Sequence, residues 1–323
     1  MTATAFLAVL RASLRRIAGL VLTLVTVAAA IFLAVDVLPG DTASVMLGTS
    51  ARPDTLAALR LEMGLDRPAP LRFLDWLLGL ATGDLGRSVT YAMPVGSLVA
   101  ERLAVTLPLA GLALLVTIAL ALPLGVVAAA RRGRATDGLV GILSQIGVAV
   151  PNFWLGLLFV LVFATGLGWF PAGGFPGWSA GAGPALRSLV LPALALALPQ
   201  AAILSRIVRS ATLDAIAADY VRTARAKGLS GRAALWRHVV PNALVPVVTI
   251  LGLQLPFLIG GAILVENVFN LPGLGRLAFQ ALAQRDLVVV RNVVLLLAAI
   301  VIAVNALVDL AYVLVDPRLR RRA

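Results

Sequence analysis

Residues 103–130 read LAVTLPLAGLALLVTIALALPLGVVAAA, an uncharged run closed by Arg102 before it and by Arg131 and Arg132 after it. About 20 apolar residues are enough to cross a bilayer as a helix, so this stretch predicts a membrane span. The same reading extends outward. Uncharged runs also occupy residues 17–35, 138–186, 188–205, 238–265 (with His238 neutral) and 292–308. The run 138–186 is long enough for two helices. Its second part contains Gly166, Gly168, Pro171, Gly173, Gly174, Pro176, Gly177, Gly181, Gly183 and Pro184, which break a helix. The expected count is six spans.

Composition agrees. Of 323 residues, 60% are hydrophobic and 13% charged, against about 45–50% and 25% in soluble domains. An ordinary cytosolic enzyme and a disordered chain are both excluded. There is no Cys and one His, so disulfides, thiolate nucleophiles and Cys- or His-rich metal sites are excluded. The first run exceeds the roughly 7–15 residues of a signal-peptide core and is read as a retained helix.

The net charge of +12 raises nucleic acid as a partner, and the placement of the charges answers it. With the N-terminus inside, 17 of the 27 basic residues fall on inside segments. They are Arg11, Arg15 and Arg16, then Arg131, Arg132 and Arg134, then seven within 206–242, then Arg318, Arg320, Arg321 and Arg322. Only four acids, Asp137, Asp214, Asp219 and Asp316, accompany them. This is the positive-inside pattern. It predicts a multi-pass membrane protein with both termini on the cytoplasmic side and no nucleic-acid role.

Four regions follow: 1–38 with the first span, 39–100 as an extracytoplasmic loop region, 101–315 as the core, and 316–323 as a basic tail. In the outer loop, Asp54 is placed to cap a helix running to Met63 and stopped by Gly64. Beyond Pro68-Ala69-Pro70, the residues Leu71, Phe73, Leu74, Trp76, Leu77 and Leu78 suggest an interfacial amphipathic helix. This loop reads as a folded cap on the span ends or as a substrate-binding surface.

In the inside loop, Leu213, Ile216, Ala217, Tyr220 and Ala224 form an apolar stripe at helical spacing, with Arg222, Arg225 and Lys227 off it. Lys227-Gly228 reads as the helix end. Ser230 is placed to cap a second short helix that carries Trp236, Arg237 and His238 and is followed by Pro241. Such a pair can rest on anionic lipid or dock a cytoplasmic partner.

Tyr220-Val221-Arg222-Thr223-Ala224-Arg225-Ala226-Lys227-Gly228-Leu229 resembles the cytoplasmic "EAA" loop of binding-protein-dependent ABC importer permeases, in the wording of the dipeptide/oligopeptide branch. The Glu-Ala-Ala triplet reads Arg222-Thr223-Ala224 here. Further matching segments run in order along the chain: Leu38-Pro39-Gly40-Asp41, Gly64-Leu65-Asp66-Arg67-Pro68, Gly83-Asp84-Leu85-Gly86-Arg87-Ser88, Val150-Pro151-Asn152-Phe153-Trp154, Val265-Glu266-Asn267-Val268-Phe269, Pro272-Gly273-Leu274-Gly275-Arg276 and Asp316-Pro317-Arg318. The resemblance is to the first of two different permease subunits.

It implies an all-α type-1 permease fold of six spans, with a large external loop after the first. It also implies a second permease lining a shared pathway, two cytoplasmic ATPase subunits holding ATP and magnesium, and an extracytoplasmic binding protein. This chain would then be neither an enzyme nor a cofactor binder. Asp219, Tyr220, Arg222, Ala224, Arg225, Lys227, Gly228 and Leu229 would meet the ATPase. Substrates of the branch are dipeptides, oligopeptides, glutathione or nickel complexes. The sequence contains no G-x-x-x-x-G-K-[ST] phosphate loop. Its one dinucleotide-like run, Gly273-Leu274-Gly275-Arg276-Leu277-Ala278, follows a span and reads as a turn.

Gln145, Asn152, Gln200, Gln254 and Asn305 lie within spans and should face protein or a water-filled path. Asp309, near a span end, is placed to pair with an inside Arg. Pro108, Pro123, Pro192, Pro199 and Pro256 read as kinks or hinges. The rival classes are a secondary transporter, which calls for inverted repeats and several coupled intramembrane charges, an intramembrane hydrolase, for which no G-x-S-x-G or H-E-x-x-H occurs, and a membrane scaffold without ATPase partners.

Overall fold

The computed structural model describes residues 3–37, 42–48, 52–62 and 64–315. The expected turn at Leu38-Pro39-Gly40-Asp41, Met63 and the tail 316–323 lie outside the described residues, as does the side chain of Asp309. Among the described residues the chain is helical, with one isolated antiparallel bridge, Arg87 to Pro94.

In chain order the helices are α1 (Ala3–Val37), α2 (Thr42–Leu47), α3 (Pro53–Glu62), α4 (Ala69–Thr82), α5 (Val95–Ala130), α6 (Ala135–Ala149) and α7 (Asn152–Phe159). A π-helical segment, Val160–Gly166, continues α7. Then come α8 (Ala182–Ala217), α9 (Asp219–Ala226), α10 (Gly231–Ala234), α11 (Val240–Val268), α12 (Leu274–Ala283) and α13 (Leu287–Val315).

Five helices are long and apolar enough to cross a membrane, through residues 14–36, 95–130, 182–217, 250–268 and 287–308. The third expected span is not one rod. It is the pair α6 and α7, bent by 100°, and counting that pair as one span restores six. The bend sits at Val150-Pro151, both in extended backbone. Proline pushes its predecessor out of the helical region and offers no amide to continue the ladder. Pro108, Pro123, Pro192, Pro199 and Pro256, by contrast, all stay inside continuous helices.

The described residues form two compact units, one within 3–103 and 277–302, the other within 104–276 and 303–315. In the first, Phe73, Trp76 and Leu77 of α4 pack against Ala28 and Phe32 of α1 and Leu295 of α13. Leu71, Leu74 and Leu78 remain exposed on the opposite face of α4. Asp54 does not cap α3: it lies in the first turn and pairs with Arg52 at 3.1 Å.

In the second unit α8 packs against α6, α7 and α11, burying Leu189, Ala193, Leu196, Ala197, Leu204 and Val208. Small residues set the spacing. A Cβ at Gly147 of α6 would stand 2.7 Å from Cβ of Ala202, and Ser144 meets Ser205 hydroxyl to hydroxyl at 2.9 Å. Association in lipid relies on such close packing, because lipid tails supply no hydrophobic drive between helices. Asp137 at the start of α6 receives Nε and Nη2 of Arg209 at 2.6 and 2.8 Å.

Candidate functional site

The inside segment is built differently from a single striped helix. Helix α8 ends at Ala217, and Ala218 takes an extended conformation (ψ 145°) before α9 begins. Leu213, Ile216 and Ala217 therefore belong to one helix and Tyr220 and Ala224 to another. The residue that anchors α9 is Val221, 4% exposed, packed with Ala234 and Val239 and flanked by Ala215, Ile216, Leu229 and Leu235. Tyr220 is 43% exposed and Ala224 half-buried. Asp219, Arg222, Arg225, Lys227 and Gly228 are exposed. The Asp219–Arg222 pair at 3.8 Å is solvent-screened and holds nothing in place.

The turn after α9 rests on Gly228, at φ +93°. Leu229 N–H donates to Ala224 O at 3.2 Å and Gly228 N–H to Arg225 O at 3.0 Å, which satisfies these two carbonyls in the last turn of α9. Ser230 then caps α10, its Oγ accepting from Ala233 N at 3.3 Å. Trp236, Arg237 and His238 lie on a π-helical turn, Leu235–Val239, that runs directly into α11. Pro241 does not end that helix. It sits in the first turn of α11, directly after the π-helical turn.

The intramembrane polar residues do not converge on one place. Gln254 Nε2 donates to the backbone oxygen of Gln200 at 3.2 Å, and the side-chain oxygens of both are buried without a partner. Asn152 lies against Gly261, where any Cβ would strike its side-chain amide. Gln145 instead lines a cavity with Asp137, Arg206 and Arg209. Asn305 is half-buried on α13 and hydrogen-bonds to none of these among the described residues.

One tightly held polar group is a residue to which the sequence assigned no role. Glu266 is 0% exposed. Its Oε1 accepts from Thr106 Oγ1 at 2.6 Å, and its Oε2 from Arg276 N at 3.0 Å. Thr106 Oγ1 in turn accepts from Leu274 N at 2.8 Å. The carboxyl thus ties α5 to α11 and, with Thr106, takes up free amides at the N-terminus of α12. The glycine run belongs to this knot. A Cβ at Gly273 would overlap the Glu266 carboxyl, and one at Gly275 would overlap Cα of Ile263. Gly273-Leu274-Gly275 follows a helix, and its glycines admit a carboxyl and a neighbouring backbone. The available signal was an acid inside an apolar run eight residues ahead of Leu274.

Residues 121–321 match the family described as binding-protein-dependent transport system inner membrane component, and residues 9–110 match its N-terminal counterpart. The chain belongs to this family. A Brucella abortus (strain 2308) relative named for a peptide transport system permease is 44% identical over 314 residues, covering 95% of this chain and 98% of the relative. The glutathione transport system permease protein of Salmonella typhimurium (strain LT2) is 38% identical over 307 residues, with the same shares covered. An inward-facing structure of the methionine ABC transporter MetNI shares the fold at TM-score 0.56 and 20% identity, covering 68% of this chain and 96% of that one. This binding-protein-dependent permease is accordingly a multi-pass membrane subunit of an ABC importer.

Proposed function

We propose that the chain is the first of two permease subunits of a bacterial peptide importer and that α9 transmits the ATPase stroke. The second permease completes the pathway, two ATP-binding subunits hold ATP and magnesium, and an extracytoplasmic binding protein delivers di- or oligopeptides. This chain holds no cofactor and catalyses no reaction. The relatives named for peptide and glutathione transport support the substrate class, since glutathione is itself a peptide. The observation that carries the coupling role is the construction of α9. It is eight residues long, anchored through Val221, and carries exposed Tyr220, Arg222, Arg225 and Lys227. A ligand shifts two conformations only through differential binding, so ATP closure moves the spans through a contact that persists in both states.

Reconstitution tests this reading. The purified chain should bind no ATP. With the second permease and the ATPase subunits in vesicles, loaded binding protein should stimulate hydrolysis and peptide uptake. Saturable ATP binding by the isolated chain, or uptake driven by an ion gradient without ATPase subunits, would contradict it.

Orientation has its own test. The natural chain has no Cys, so Ser230→Cys gives a single label at the capping position of α10. The cysteine should react with an impermeant maleimide only after cells are opened. Labelling in intact cells would place the α9–α10 segment outside and remove it from reach of ATP.

A further inference from the structure

In the first unit, the end of α1, helix α4, the first turns of α13 and the segments 64–67 and 84–86 line an open cavity of about 600 Å³, within the roughly 300–1,000 Å³ of small-molecule sites. Its charges do not cancel. Asp36 accepts from Arg72 at 2.7 Å, Asp75 pairs with Arg67 at 2.5 Å, and Asp84 Oδ1 accepts from Gly86 N at 2.8 Å. Arg291, which also lines the cavity, has no acidic partner among the described residues, and its Nε is buried with no hydrogen-bond partner.

Arg291 is nonetheless held. Its guanidinium carbon lies 5.2 Å from the Trp76 ring centroid, a cation–π distance. Trp76 is 5% exposed, and its Nε1 donates to Asn292 Oδ1 at 3.0 Å. Asn292 Nδ2 donates to Leu85 O at 2.8 Å. A guanidinium carries five donors, does not deprotonate, and pairs best with a planar oxyanion taken by two parallel bonds. A partly buried cation lacking a counter-charge gains more from such a ligand than an exposed one does.

We propose that this cavity is a carboxylate-binding site, with Arg291 stacked on Trp76 as the residue that holds the anion. That the carboxylate belongs to a peptide terminus rests on the peptide-importer reading; the site itself does not. The phosphate of an anionic lipid offers related oxyanion chemistry, and the exposed Leu71, Leu74 and Leu78 of α4 put lipid within consideration as its source.

The test uses the full chain in phosphatidylcholine nanodiscs, with Trp154, Trp169, Trp178 and Trp236 changed to Phe so that Trp76 is the only indole. Sodium acetate, against sodium chloride at equal ionic strength, should change Trp76 emission saturably, and acetamide should not. Arg291→Gln should weaken the acetate response at least tenfold. No saturable response, or an undiminished one in Arg291→Gln, overturns the site. If the four replacements unfold the chain, saturation-transfer NMR of acetate on the natural sequence and on Arg291→Gln makes the same comparison. Adding phosphatidylglycerol to the nanodiscs should leave the acetate response intact. Its loss there would assign the cavity to lipid phosphate and overturn the carboxylate ligand. None of these readouts depends on ATP-driven uptake, so failure of the site and failure of the importer reading are separable.

Discussion

Gly273→Val should largely remove the protein from the membrane. The new Cβ overlaps the carboxyl of Glu266, a fully buried group that accepts from Thr106 Oγ1 and Arg276 N. Moving the carboxyl strands those donors, at about 1–3 kcal/mol for each buried group left unpaired. Forcing the extra atoms in costs about 1–3 kcal/mol more. Folded chains have a margin of only about 5–15 kcal/mol, so steady-state abundance should fall several-fold on immunoblots of membrane fractions, with earlier thermal unfolding in detergent. Gly260→Ala is the matched control, since a Cβ at Gly260 meets nothing within 4 Å. If Gly273→Val accumulates normally, the knot around Glu266 does not hold α5, α11 and α12 together.

Gly228→Val should have the opposite profile, with normal abundance and lost transport. A Cβ at Gly228 meets nothing within 4 Å, so the substitution clashes with no neighbour. Its cost lies in the backbone alone, because φ is +93° and the left-handed region costs an L-residue about 1–2 kcal/mol, with β-branched residues the worst. The turn relaxes by re-aiming the chain between α9 and α10, leaving the long helices inserted. Uptake by the assembled importer should fall at least tenfold, and loaded binding protein should no longer stimulate ATP hydrolysis. Ala224→Glu, which places a charge at a half-buried position of α9, should act similarly. Arg322→Ala, in the tail, should leave uptake unchanged. Parental uptake by Gly228→Val would show that α9 is not the transmission element.

The two substitutions differ in how visible their sites were beforehand. Lys227-Gly228 followed by Ser230 is a local signal. A cation near the helix end, a residue tolerant of positive φ and a capping hydroxyl each act within a few residues of themselves. The structure realises that turn as written. The break at Ala218, ten residues earlier, had no such marker. Ala218 is neither Gly nor Pro, and an acid at Asp219 is the only hint of a new helix start. Reading through it as one helix put Tyr220 on the packed face, whereas Val221 occupies that face and Tyr220 is exposed.

Span positions were legible for a reason peculiar to the solvent. Hydrocarbon accepts only backbone that bonds within its own segment and penalises every charge, so length and charge-free composition along the chain suffice. The break at Val150-Pro151 was not expected: the third span reads as one rod, although proline restricts its predecessor wherever it occurs. The 100° turn there, with Asn152 against Gly261 and Gly156 against Phe269, depends on residues more than a hundred positions away. Glu266, Thr106 and Arg276 show the same limit from the other side. An acid in a sequence reads as surface, and only folding reveals that a threonine 160 residues earlier and an amide ten residues later satisfy it. Local sterics and the bilayer's demand on the backbone act along the chain and are written there. The partner of a buried polar group is chosen by three-dimensional packing, to which sequence separation is indifferent.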